Sequence, residues 1–183
     1  MLFMPAGAAS AAGCANETLV PSASNTAQIR EATRCLINQE RARMGRKPLA
    51  ASPALAAPAQ SFATQMVKEG FFDHVSPTGS SLLMRVKHSR YVNKRSRARY
   101  KVGENIAWGL YELATPVQII KSWLCSPGHR DNILDRRYRD IGVGVASGAP
   151  EDVGDALGGD VLSRLRPALQ ALAGARTRHV VAR

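Results

Sequence analysis

No CxxC pair occurs in the 183 residues, and the only cysteines are Cys14, Cys35 and Cys125. That excludes a zinc ribbon. No apolar run reaches the ~18 residues that a membrane-spanning helix requires. Internal repeats are absent, so the length fits one domain with loose ends, long enough to bury a real core. Acids are scarce: 14 Asp+Glu stand against 25 Lys+Arg, a formal net charge of +11. This imbalance favours acidic partners through long-range attraction and says nothing about fold. Residues 149–183 contain no Tyr, Phe or Trp and no apolar/polar alternation. They do not support a closing strand; low order is expected after about Pro150, apart from a helix near 161–172.

Residues 1–25 read as leader and linker. Ala9-Ser10-Ala11 resembles an A-x-A signal cleavage site, while a basic n-region is missing, so the start is expected to lie inside a longer signal peptide. In an exported chain Cys14 and Cys35 could pair, leaving Cys125 as the odd thiol; in a cytosolic one all three stay reduced.

Ile29, Ala32, Thr33, Leu36 and Ile37 share a face, which predicts a core-facing helix from about Asn25 to Met44. Asn25 and Gln28 suit a capping box, and Gly45 suits the stop. Ser52-Pro53 opens a second helix, with Leu55, Ala59, Phe62, Ala63 and Met66 at helical spacing, Gly70 at its end and Pro58 inside it. A short helix is expected over Ser81–Lys87 and a loop over 88–101. Thr115-Pro116 and Ser126-Pro127 repeat the cap-plus-proline signal, opening helices that run to about Leu124 and to Leu134. Asp140–Ser147 alternates glycine with Ile/Val and reads as a buried strand whose glycines permit close backbone approach.

Three side chains could carry chemistry together. His129 is the third residue of the helix opened by Ser126, where free N–H groups disfavour imidazolium, so it is expected to stay neutral. A neutral imidazole can ligate a metal or accept a proton, or simply satisfy a backbone group. His74 follows Phe71-Phe72, whose rings anchor it near the Ser76-Pro77 turn. Glu104, between Gly103 and Asn105, enters an apolar segment and needs partners there. Two His and one carboxylate suit a divalent, zinc-like site with an open position, although the spacing matches no local zinc motif. Cys125 beside them reads as a small apolar helix residue rather than a nucleophile. The run from Arg85 to Lys101 holds eight Lys/Arg, no acid, and Tyr91 and Tyr100. It reads as a solvated basic loop, with stacking on single-stranded nucleic acid as the sharper alternative.

Taken together, Asn38-Gln39-Glu40-Arg41, Phe72-Asp73-His74, Gly103-Glu104-Asn105-Ile106, Trp123 followed by Ser126-Pro127-Gly128-His129-Arg130, and the Ile141–Ala146 strand resemble the CAP superfamily, in its bacterial secreted branch. The resemblance covers residues 35–148. It implies an α+β fold, a three-layer α/β/α sandwich with a small, mainly antiparallel sheet, in a domain spanning 26–148 between the 1–25 leader and the divergent 149–183 tail. It also implies a cleft lined by two His and two acids that in some members binds zinc or another divalent cation. His74, Glu104 and His129 match three of those positions; Ser126 stands where the second acid is usual. Cys14 and Cys35 resemble the disulfide that tethers the leader in secreted bacterial relatives.

The resulting expectation is a secreted or envelope-located monomer. Its cleft of His74, Glu104, Asn105, Ser126 and His129 would bind lipid or sterol, an anionic envelope component or a divalent cation, rather than catalyse. One alternative is a metal-assisted hydrolase, with a cation on His74 and His129 and Glu104 as general base. Another is an anionic-polymer binder using the basic run, with nucleic acid the less accessible partner for an exported chain.

Overall fold

The computed structural model describes residues 13–92, 99–150 and 167–177. Helix α1 spans Thr26–Arg43 and buries Ile29, Ala32, Thr33 and Ile37, the stripe that the sequence spacing marks. The expected capping box is not formed. Asn25 instead accepts from the Ser22 N–H at 2.7 Å and donates to the Val20 carbonyl at 2.9 Å, tying down the preceding turn. At the other end Gly45, at φ 65°, lets its N–H reach the Ala42 carbonyl and that of Arg46 reach the Arg41 carbonyl. This paired closure requires a left-handed residue, which is why glycine stands there.

Strand β1 is short, Ala50–Ala51. Helix α2 (Pro53–Glu69) runs through Pro58 without interruption and ends on a left-handed Gly70. Helix α3 (Leu82–His88) is capped by the Ser81 side chain on the Met84 N–H. A 3-10 turn at Tyr111–Ala114 precedes α4 (Pro116–Cys125) and α5 (Pro127–Leu134).

The expected 88–101 loop is shorter than the sequence suggests, because β2 (Arg99–Trp108) already begins at Arg99. β3 is Asp140–Ser147, as expected. β4, Pro167–Thr177, corrects the view that the tail offers no closing strand, and makes residues 167–172 of the expected helix strand instead. It lies between β2 and β3, antiparallel to both, in the order β1-β3-β4-β2, with β1 parallel to β3. A strand paired on both sides needs no apolar/polar alternation, and long-range ladder bonds override the local helical preference of Ala and Leu. The rest of the tail, 151–166 and 178–183, lies outside the described residues.

Helix α2 packs on one face of the sheet, and α1, α4 and α5 lie on the other. The division follows β3's alternation: Ile141, Val143 and Val145 join Ile29, Ile37, Ile120 and Trp123 in the larger core. On its other side Gly142 and Gly144 lie against the backbone of α2 at Leu55 and Ala59. A disulfide joins Cys14 to Cys35, holding the 13–25 segment to α1. No helix among the described residues is long and apolar enough to cross a membrane.

Candidate functional site

Glu104 projects from β2 with its side chain only 2 % exposed. Burying a carboxylate is costly unless it is paired and hydrogen-bonded. The partner is Arg85 on α3, whose Nη2 donates to Oε2 at 2.6 Å and to Oε1 at 3.0 Å. Oε1 also lies 2.8 Å from His74 Nδ1. Arg85 is itself locked: Nη1 donates to the carbonyls of His74 (3.2 Å) and Ser80 (2.7 Å), and the guanidinium carbon lies 3.4 Å from the Phe62 ring centre. One arginine therefore fixes both the carboxylate and the backbone that carries His74. The imidazole of His74 is 54 % exposed, so the triad opens to solvent only there.

His129 is held from a different direction. Its Nδ1 lies 2.9 Å from Ser126 Oγ, and its ring stacks over Trp123 at 6.3 Å and 30°. Ser126 begins α5, yet its side chain makes no cap bond, because the hydroxyl is engaged with the imidazole. Asn105 is buried; its Nδ2 donates to the His129 carbonyl at 3.0 Å. Asn132 Nδ2 in turn donates to the Glu104 carbonyl and to Asn105 Oδ1. Asn105 thus braces β2 against α5 rather than lining the opening, and the Trp123 indole N–H adds a tie from α4 to the Ile106 carbonyl.

The two imidazoles are driven apart in acidity. The hydrogen bond to Glu104 raises His74 above the ordinary histidine value of 6.5. Burial, and secondly the charge of His74, lowers His129 below it. His129 is disposed to be neutral, as expected, with desolvation as the leading cause rather than the helix end. Over the interval between the two midpoints His74 is cationic while His129 is neutral. Following both rings by NMR across a pH titration, we expect His74 to deprotonate at the higher pH. In His74→Ala, the His129 midpoint should move upward while staying below 6.5, because burial remains.

His74 meets Glu104, and His129 meets Ser126, but the expected three-ligand metal set is not assembled. Among the described residues no three His, Cys, Asp or Glu side chains stand together to hold an ion. The donor chemistry gives the reason: Arg85 already fills the cation's place beside Glu104. A zinc-like ion shared by His74, Glu104 and His129 does not fit this arrangement.

Arg85 is the site residue that sequence reasoning misses, because it falls at the edge of the basic run. A usable signal is its place in the apolar stretch Leu82-Leu83-Met84-Arg85-Val86, upstream of a carboxylate in need of a countercharge. The rest of that run is also not a uniform loop. Tyr91 is 3 % exposed and donates to Asp140 Oδ2 at 2.6 Å, so it offers no face for base stacking. Lys101 pairs with Asp135 at 2.7 Å. Residues 93–98, Arg95 and Arg97 among them, lie outside the described residues. Cys125 is the last residue of α4, a free and exposed thiol.

Comparison with known proteins adds to this geometry. A model of the cysteine-rich secretory protein family, CAP, matches residues 35–154. The uncharacterized protein YkwD of Bacillus subtilis is 38 % identical over 115 residues, 62 % of this chain and 41 % of that protein. The chain therefore spans well under half the length of that relative. Among solved structures, an extracellular protein containing an SCP domain from Bacillus anthracis matches with a TM-score of 0.58 at 24 % identity, over 84 % of this chain and 44 % of that one. An outer surface protein from Borrelia burgdorferi matches with a TM-score of 0.59 at 16 % identity, over 79 % of this chain and 90 % of that one. These two likenesses concern the fold.

Proposed function

The chain belongs to the cysteine-rich secretory protein (CAP) family, and from that premise we propose that it is a binding domain of the cell exterior or envelope. Its histidine cleft would receive a phosphate or carboxylate group of an anionic envelope component. The observation that carries this reading is the state of Glu104. Sealed at 2 % exposure between Arg85 and His74, it is unavailable as a general base or as a metal ligand. With Glu104 withdrawn from both roles, proton transfer at the site would fall to the imidazoles alone, whereas a binding role asks nothing more of the carboxylate.

The local charge supports an anion. Arg85 offsets Glu104, so a protonated His74 leaves the triad with one net positive charge, and the chain carries +11 overall. His74 is the exposed donor. His129, held neutral, supplies a second hydrogen-bonding nitrogen without adding repulsion. The Cys14–Cys35 disulfide and the extracellular relative support placement in an oxidising compartment outside the cell.

The test is binding to anionic and to zwitterionic lipid vesicles, with soluble inorganic phosphate as a second arm. Affinity for the anion should fall as pH rises through the His74 midpoint, and should fall in His74→Ala at low pH. Anion binding that ignores both pH and His74→Ala would remove the cleft from the reading. Stoichiometric zinc in the purified protein, lost in the same variant, would restore the metal reading in its place.

A further inference from the structure

One edge of the sheet is only partly covered. β1 ends at Ala51, opposite Ile141, whereas β3 runs on to Ser147. Along a strand the N–H and C=O groups of successive residues turn to alternate sides. The odd positions of β3 turn to this edge. The Ile141 carbonyl accepts from the Ser52 N–H at 2.8 Å. Val145 accepts from Gln60 Nε2 at 2.8 Å and donates to Gln60 Oε1 at 3.1 Å, so that side chain stands in for a neighbouring strand. Val143 lies between these two ties, and its N–H and C=O therefore point to the same edge. Neither has a partner among the described residues. The Ser52 carbonyl, which the next rung would use, is taken by the first turn of α2, from the N–H groups of Leu55 and Ala56.

Val143 is 5 % exposed, and buried backbone groups are almost always paired. It forms part of the wall of an open groove of about 520 Å³ between α1 and α2. That is within the size of small-molecule sites, roughly 300–1,000 Å³. Small apolar residues, Ala27, Ala51 and Ala57 among them, make up much of the wall. Its charged residues are Arg30, Glu31 and Arg34, all from α1. Both Glu31 oxygens are held by Arg34. Arg30 donates to Gln60 Oε1 at 3.1 Å and has no acidic partner among the described residues. The wall therefore carries one net positive charge beside the open rung.

We propose that this gap is a peptide-binding site, distinct from the histidine cleft, and that it takes the C-terminal end of a short, extended peptide. The last residue of the peptide exchanges two hydrogen bonds with Val143, as in a closely paired antiparallel rung. Its N–H donates to the Val143 carbonyl, and an oxygen of its terminal carboxylate accepts from the Val143 N–H. A chain running straight along β3 does not fit, because Ser52 closes the line at Ile141 and Gln60 closes it at Val145. A chain end does fit, since one rung is all that is open. The positive wall favours the carboxylate end over the amine end. Backbone pairing at a sheet edge supplies the affinity, and the small wall residues leave room for a side chain.

The experiment is an NMR titration of the full chain with tri-alanine, read at the Val143 N–H. In the free protein this amide should exchange with solvent faster than that of Val145. On titration we expect a saturable shift, with a Kd in the roughly millimolar range. Converting the peptide to its C-terminal amide, or methylating its last N–H, should each weaken binding by ~10-fold or more. Ala57→Phe, at an exposed position on the groove wall, should do the same. His74→Ala should leave binding unchanged, and a loss in that variant would move the peptide to the cleft. Val143 protection equal to that of Val145 in the free protein would mean that the rung is already filled, and would overturn the proposal. So would shifts that never saturate, which leave the gap to water only. Acetate shifting Val143 as strongly as the peptide would reduce the gap to a carboxylate site and overturn it too.

Discussion

Gly142→Ala should destabilise the protein by about 3 kcal/mol or more, among the largest effects of any methyl addition in this chain. A Cβ at Gly142 would lie 2.1 Å from the Leu55 carbonyl carbon and 2.2 Å from the Ala56 nitrogen. Gly144→Ala would meet the Ala59 backbone at 2.2 Å and should behave alike. These obstacles are helix backbone, so no rotamer change relieves them; α2 would have to move off the sheet. That motion would loosen Phe62 and Met66 from the smaller core and shift the ring on which Arg85 rests. Denaturant unfolding gives the measurement. Gly128→Ala serves as the control: nothing lies within 4 Å of its Cβ, and its stability should change by less than about 1 kcal/mol. An unfolding midpoint for Gly142→Ala equal to that of the control would mean that α2 does not pack as described.

Breaking the Arg85–Glu104 pair is the second large effect. Removing one partner strands a charge that the fold keeps out of water, and such losses run to about 3–5 kcal/mol. Arg85→Met should destabilise in that range, because Glu104 loses the cation that offsets its buried charge. Glu104→Gln should do likewise, because the guanidinium loses its countercharge and one of its two acceptors. The double variant Arg85→Met/Glu104→Gln should cost less than the sum of the singles, since neither charge is then stranded. Chemical denaturation of all four proteins completes the cycle. Strict additivity would show that the two groups are not coupled. The pair also bears on function, since without Glu104 the first cause of the raised His74 midpoint is gone and that residue should titrate at lower pH.

Much of the architecture is legible in local signals. Cap-plus-proline pairs at Ser52-Pro53, Thr115-Pro116 and Ser126-Pro127 mark helix starts that the structure keeps, because proline's fixed φ suits the first turn wherever the rest of the chain goes. The capping assignments fare less well. Asn25 and Ser126 both have better partners nearby, and a side chain that caps by sequence can be drawn elsewhere by tertiary contacts. β4 is not legible, because a strand with neighbours on both sides owes its conformation to β2 and β3 rather than to its own Ala- and Leu-rich sequence.

Residue types and their order carried the resemblance to the family and, through it, the α+β sandwich. Local stereochemistry marked the helix starts and a strand whose glycines permit close backbone approach, because proline's fixed φ and a missing Cβ act wherever the rest of the chain goes. Only the tertiary structure decided what the side chains of the site do. It brought Arg85, nineteen positions before Glu104 in the chain, onto that carboxylate. It turned Ser126 from a helix cap into the partner of His129. A buried carboxylate takes whichever cation the fold delivers, and that choice rests on burial and proximity in space. Here that choice sets Glu104 between Arg85 and His74, and leaves His129 to Ser126.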